Sequence, residues 1–257
     1  MNTTNPSSAS IPPQTPASAG APGSAPLGEN PAEREPITSP LAAAEAILRQ
    51  PRRLIFQLRQ PGSGPLIGGM LLVAVACSLV YGVVVGTFSM GPQLWAAPVK
   101  IAAGLMISAL ICLPSLYIFT CLSGSQARLA EMCGLLAGLL MLMSILLIGF
   151  APVAWLFSQS TQSVAWMGTL HLLFWLVATF FGLRFLGAGF SQAQARSQAG
   201  LYTWIIIFIL VGLQMTTALR PLVGQADTVL PTEKKFFITH WGDCLKAAPP
   251  AKLQSPQ

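Results

Sequence analysis

The side chains of this 257-residue chain that could do chemistry are few and are scattered through long apolar runs. His171 is the one His, Asp, Glu, Lys or Arg well inside such a run. An ionisable group there is a functional candidate by default, because hydrocarbon makes its charged form costly. A neutral imidazole is nevertheless the cheapest of these groups to bury, since one neighbour can satisfy its N–H. No Asp or Glu lies within the apolar runs to relay a proton with it, and the second histidine, His240, falls in the C-terminal stretch. His171 is therefore read as a hydrogen-bonded residue of a helix bundle, with a place on a polar path as the alternative.

Other chemistries leave no pattern. A serine–histidine pair is formally available from Ser78, Ser108 or Ser144 with His171, but nothing in the spacing selects one. The apolar region has no carboxylate pair for acid–base work, no HExxH, no GxxxxGK[ST] loop to cradle phosphate and no GxSxG elbow. Cys77, Cys112, Cys121 and Cys133 lie in or at the edges of apolar segments, and Cys244 stands alone. Without a CxxC or a Cys/His cluster at ligand spacing, neither a disulfide framework nor a structural zinc is expected. No catalytic, cofactor-binding or metal-binding residue is assigned, and no enzymatic activity is expected.

The elements that would position His171 follow from composition. The chain is 53% hydrophobic and 9% charged, against about 25% charged in soluble proteins. From Ala46 to Ala226 the one carboxylate is Glu131, so no soluble surface can be drawn over that stretch. Five apolar segments, 66–88, 99–122, 132–157, 164–186 and 201–219, each approach the roughly 20 residues that cross a 30 Å hydrocarbon core. The expected fold is all-α, a five-span transmembrane bundle over 61–222. Pro114 should kink the second span near Leu110 and Ile111, with Ser115, Tyr117 and Thr120 making that end semi-polar, and Pro152 should mark the fraying end of the third.

Small residues suggest how the spans meet. Ala74, Ser78, Gly82 and Gly86 recur every four residues in the first span, Gly104, Ser108 and Cys112 in the second, and Gly134 and Gly138 in the third. In a helix each set forms one face on which another backbone can approach closely. The outer halves of the first two spans should pack through it within one chain, a homodimer face being the alternative.

The flanks differ from the spans. Residues 1–40, rich in Pro, Ala, Ser and Gly, read as a disordered tail. Residues 41–60 are amphipathic and basic, with Arg49, Arg52, Arg53 and Arg59 among Leu41, Ile47, Leu48, Leu54, Ile55 and Leu58, and Pro51 dividing them into two short helices. Such a segment is expected to lie on an anionic membrane surface. Residues 223–257 form a second tail, whose Phe237, Trp241, Cys244 and Leu245 predict a short surface helix.

Orientation follows the basic residues. With the N-terminus cytoplasmic, that side collects Arg49, Arg52, Arg53, Arg59, Arg128, Arg184 and Arg196. The other side has Lys100 and Arg220 at helix ends and Lys234 and Lys235 in the tail, while loops 89–98 and 158–163 have no basic residue. Trp95, Trp155 and Trp166 gather at that outer interface. The chain is expected to be an integral, multi-pass protein with its C-terminus external or periplasmic, in the inner membrane if the source is bacterial. The charge of +6 reads as topogenic, with no basic stripe for nucleic acid.

Pro51-Arg52-Arg53 before the first span, Tyr81-Gly82 within it, Pro114 and Tyr117 in the second, and five spans in all resemble the Yip (Rab-interacting) membrane proteins and their bacterial relatives. The resemblance runs from about Leu41 to Leu219 and implies the five-span architecture. The Asp-Leu-x-Gly-Pro element of eukaryotic members is not in this sequence, and no site residue is carried over. The expected function is that of a membrane scaffold or accessory subunit that binds the lipid bilayer and other membrane proteins or itself. The alternative is a neutral-solute pore formed by an oligomer, with His171 and Gln214 facing its path.

Overall fold

The computed structural model describes residues 26–89, 93–125, 127–160, 164–192 and 198–218, which are helical and contain no strand. Three short helices, α1 (Pro31–Arg34), α2 (Pro40–Arg49) and α3 (Pro51–Leu58), precede five long ones. The long helices are α4 (Gly64–Ser89), α5 (Gln93–Leu122), α6 (Leu129–Ser160), α7 (Val164–Gln192) and α8 (Ala199–Ala218). All five are long and apolar enough to cross a membrane. Hydrocarbon offers no partner to a free N–H or C=O, so a segment of this composition closes its backbone bonds within itself.

Four of the spans outrun the apolar segments that announce them, because a turn added to an existing helix brings a backbone bond without a new nucleation cost. α5 starts six residues before Val99, which places Pro98 inside the helix rather than in a loop. Pro152 likewise does not end α6, which continues to Ser160. One missing N–H is cheaper there than a frayed turn with several unpaired groups.

α4 packs on both α5 and α6, α7 on α6, and α8 on α5. α6 is the centre, with 67% of its most apolar stretch buried within the chain, against 17% for α8. The close approaches are made at glycines. A Cβ at Gly82 would collide with the backbone of Pro98, and one at Gly182 would lie 3.3 Å from the Leu139 carbonyl oxygen of α6. At α8, a Cβ on Gly200 would sit 3.0 Å from the Phe119 carbonyl oxygen of α5. Trp204 is fully buried, stacks on Phe208 with ring centroids 5.1 Å apart, and donates its Nε1–H to the Cys112 carbonyl at 2.9 Å.

The N-terminal region departs from expectation. Residues 26–39, assigned by composition to a disordered tail, carry α1 and dock on α3. Asn30 caps α1 by accepting the Ala32 N–H at 3.0 Å, and Ser39 caps α2 by accepting the Ala42 N–H at 3.1 Å. The break at Pro51 falls where its ring predicts. The apolar face of α2 and α3, expected against lipid, turns inward instead. Ala43, Ala46, Ile47, Leu54, Ile55 and Leu58 are buried, and the two helices strap one end of α4, α6 and α7. A preformed apolar groove beside the spans covers that face as well as lipid would. Leu41 and Leu48 remain exposed. The C-terminal tail, with its expected surface helix, His240 and Cys244, lies outside the described residues, as do Arg196, Arg220, Lys234 and Lys235.

Candidate functional site

Two helices distant in sequence bring the central polar group its partner. His171, in the second turn of α7, faces Tyr81 of α4, with the Tyr81 hydroxyl 2.7 Å from Nδ1 and the rings edge-to-face at 84°. Tyr81 is 4% exposed. Phe174, one turn along α7, stands edge-on to the imidazole and stacks on Phe150 of α6 at 4.7 Å, closing the pair off with aromatic surface. With the phenol donating, the imidazole carries its proton on Nε2. With Nδ1 donating, Nε2 presents a lone pair. Nε2 is buried and finds no partner among the described residues, and the same holds for the Thr179 hydroxyl two turns further along α7.

Two of the serine alternatives are occupied elsewhere. Ser78 donates to the Val75 carbonyl at 2.9 Å and Ser144 to the Leu140 carbonyl at 2.9 Å, each along its own helix. Nδ1 is taken by Tyr81, and Ser108 is buried in α5. Among the described residues no three His, Cys, Asp or Glu side chains come together as metal ligands. The arrangement can therefore join helices and orient one imidazole. Tyr81, Thr179 and Trp204 are bonding groups that the sequence pattern does not single out as such. Tyr81 carried one signal, its place three residues beyond Ser78 and beside Gly82 on the small-residue face.

The small residues lie inside the chain. Ala74 and Ser78 are fully buried, and Gly82, Gly86, Gly104, Ser108 and Cys112 are buried with them. Gly134 and Gly138 act differently from a backbone seam, because each seats a side chain. A Cβ on Gly134 would lie 2.6 Å from Leu58 of α3, and one on Gly138 2.5 Å from Phe185 of α7. Lys100, expected at a helix end, lies seven residues inside α5 and is 6% exposed.

The arginines expected at a lipid surface have partners within the chain. Arg49 pairs with Glu45 at 3.2 Å, Arg52 with Glu33 at 2.7 Å and Arg53 with Glu35 at 3.4 Å. Arg59 approaches Glu131 at 3.9 Å and donates to the carbonyl of Gln192, the last residue of α7, at 2.9 Å. That contact places a cation at the negative end of the α7 dipole. Burial pushes the Glu33 carboxyl up, but the Arg52 hydrogen bond, the Gly28 N–H at 2.6 Å and the Arg52 charge outweigh it and hold the group below its ordinary range. Comparison with protein-family models, curated proteins and solved structures finds no match.

Proposed function

We propose that the chain is a non-catalytic membrane scaffold or accessory subunit, acting through helix packing and through contacts with partner membrane proteins. The observation that carries this reading is the Tyr81–His171 bond, in which the most chemically able side chain of the spans is committed to joining α4 to α7. The Trp204 bond to the Cys112 carbonyl supports it in the same way, tying the peripheral α8 to α5. Interhelical bonds of this kind are worth about 0.6–2 kcal/mol in membranes and serve packing rather than chemistry. The resemblance to the Yip family and the arginine asymmetry accord with a scaffold whose N-terminus is cytoplasmic. The test is capture of the intact protein from its native membrane in mild detergent with its subunits counted. A scaffold brings down a membrane protein at fixed stoichiometry. An isolated monomer that shows an activity lost in His171→Gln contradicts the reading.

A second reading, an oligomeric path for a small neutral solute, is favoured by one observation. The His171 Nε2 and the Thr179 hydroxyl are buried and partnerless among the described residues, as groups awaiting water or solute would be. Reconstituted liposomes separate the two readings. A path raises their permeability to small neutral solutes, and a scaffold leaves it at that of bare lipid.

A further inference from the structure

We propose that residues 40–60 form an anionic-lipid-binding segment that the chain keeps masked with the acids of residues 26–37. Lipid phosphates unmask it by displacing Glu33 and Glu35 from Arg52 and Arg53. The inference does not rest on the scaffold reading. Its first support is that each arginine between positions 49 and 59 faces its own carboxylate, Glu45, Glu33, Glu35 and Glu131 in turn. The docked segment is thereby neutralised, although its composition is that of a surface-seeking basic helix.

The mask is a separate piece of chain. Residues 26–37 carry Glu29, Glu33 and Glu35 against Arg34, a net of −2, whereas 40–59 carry Glu45 against four arginines, a net of +3. The flap is held by polar contacts from α3 and by Leu27 and Ile37, half-buried against the core. Arg53 donates to the Glu35 carbonyl at 3.0 Å and the Pro36 carbonyl at 3.2 Å, and Gln57 to the Arg34 carbonyl at 3.3 Å. Gly28, at φ +88°, is pressed so closely on Phe56 that a Cβ there would lie 2.6 Å from the ring. By contrast α3 reaches the bundle itself, where Ile55 and Leu58 line one small cavity with Met132 and Leu135 of α6 and Leu58 lies over Gly134, so it stays in place when the flap leaves.

Depth supplies the competitor. Leu58 sits over Gly134 in the second turn of α6 and Arg59 reaches the last residue of α7, which sets α3 beside the ends of two spans, the headgroup level for helices that cross a bilayer. A phosphate presents the same paired oxygens to a guanidinium as a carboxylate does. An anionic surface both attracts the arginines and repels a flap of net negative charge. Partly exposed ion pairs are weak enough to be displaced. Each of the two pairs to be displaced is open on one side, Arg52 and Glu35 keeping 32% and 67% of their side-chain surface exposed against 10% for Glu33 and 17% for Arg53, and Arg49 with Leu41 and Leu48 already faces outward.

Hydrogen exchange of the full chain in lipid nanodiscs tests this. In phosphatidylcholine discs residues 26–37 should be protected, and with about a third phosphatidylglycerol their exchange should rise about threefold or more at equal ionic strength, with α4–α8 unchanged. Inorganic phosphate added to neutral discs should produce no rise, because a dissolved anion is not concentrated at the surface. Glu33→Gln with Glu35→Gln should exchange fast over 26–37 in both lipids while α4–α8 stay protected. Equal exchange of the wild type in the two lipids, a rise spread over α4–α8, or an equal response to dissolved phosphate would overturn the proposal.

Discussion

The spans and the N-terminal strap of one chain are held by different means, and the difference traces to what competes for each contact. The strap lies where water can reach it and is fixed by side-chain caps, an inward apolar face and four ion pairs. Between the spans, lipid tails solvate an apolar side chain as well as a neighbouring helix does, so association depends on short-range contact and on a few directed bonds. Gly82 on Pro98, Gly182 on Leu139, Tyr81 with His171 and Trp204 on the Cys112 carbonyl supply these. Charge placement is decisive at the strap, and side-chain volume is decisive in the bundle.

Perturbing each region by its own rule should sharpen the contrast. The largest effect is expected from Gly82→Leu, which drives a side chain into the Pro98 backbone. Thermal unfolding in detergent should show a loss of about 2–3 kcal/mol, whereas Val83→Leu, on an exposed face, should stay within about 0.5 kcal/mol. His171→Ala strands the Tyr81 hydroxyl and should cost about 2 kcal/mol, while His171→Gln keeps a polar partner and should cost under about 1 kcal/mol. Equal losses in the two His171 variants would mean that bulk, not the bond, matters there.

Trp204→Phe removes one interhelical donor but leaves the Cys112 carbonyl its bond from Ser115. A loss of about 1 kcal/mol is expected, with faster hydrogen exchange confined to α8. The smallest effect should come from acid at the strap. The folded Glu33 carboxyl lies below its ordinary value of 4.5, so its contribution is fully present above that pH and is lost as pH falls through the lowered value. Exchange of the Gly28 amide, corrected for its intrinsic rate, should rise as pH drops from about 6 to about 3, by an amount worth under about 1 kcal/mol. A comparable acid response in the spans would erase the contrast.

The five spans were legible in the sequence because hydrocarbon thickness imposes an apolar length, and the helix break at Pro51 because its ring imposes a local geometry. Span ends were less so. The turns beyond the core need only helical backbone, so Gln93 or Gln192 can belong to a helix without being apolar. The strap is not legible in the sequence because its fixing acids, Glu33 and Glu35, sit in a stretch whose Pro, Ala and Ser content argues for disorder. Caps at Asn30 and Ser39 and a few charged contacts order it without a core of its own. At the candidate site His171 stood out, but its partner did not. A bond across 90 residues depends on how α4 and α7 are rotated, and no periodicity encodes that.

The pairing of His171 with Tyr81 joins α4 to α7, and nitrogen NMR of the histidine-labelled protein in nanodiscs tests it most directly, with His171→Gln assigning the resonance against His240. Tyr81→Phe should shift the His171 Nδ1 signal strongly, leave His240 unchanged and lower thermal stability by about 1 kcal/mol. A His171 signal that ignores Tyr81→Phe, but moves when a small neutral solute is added, would contradict a packing role and assign the residue to a polar path.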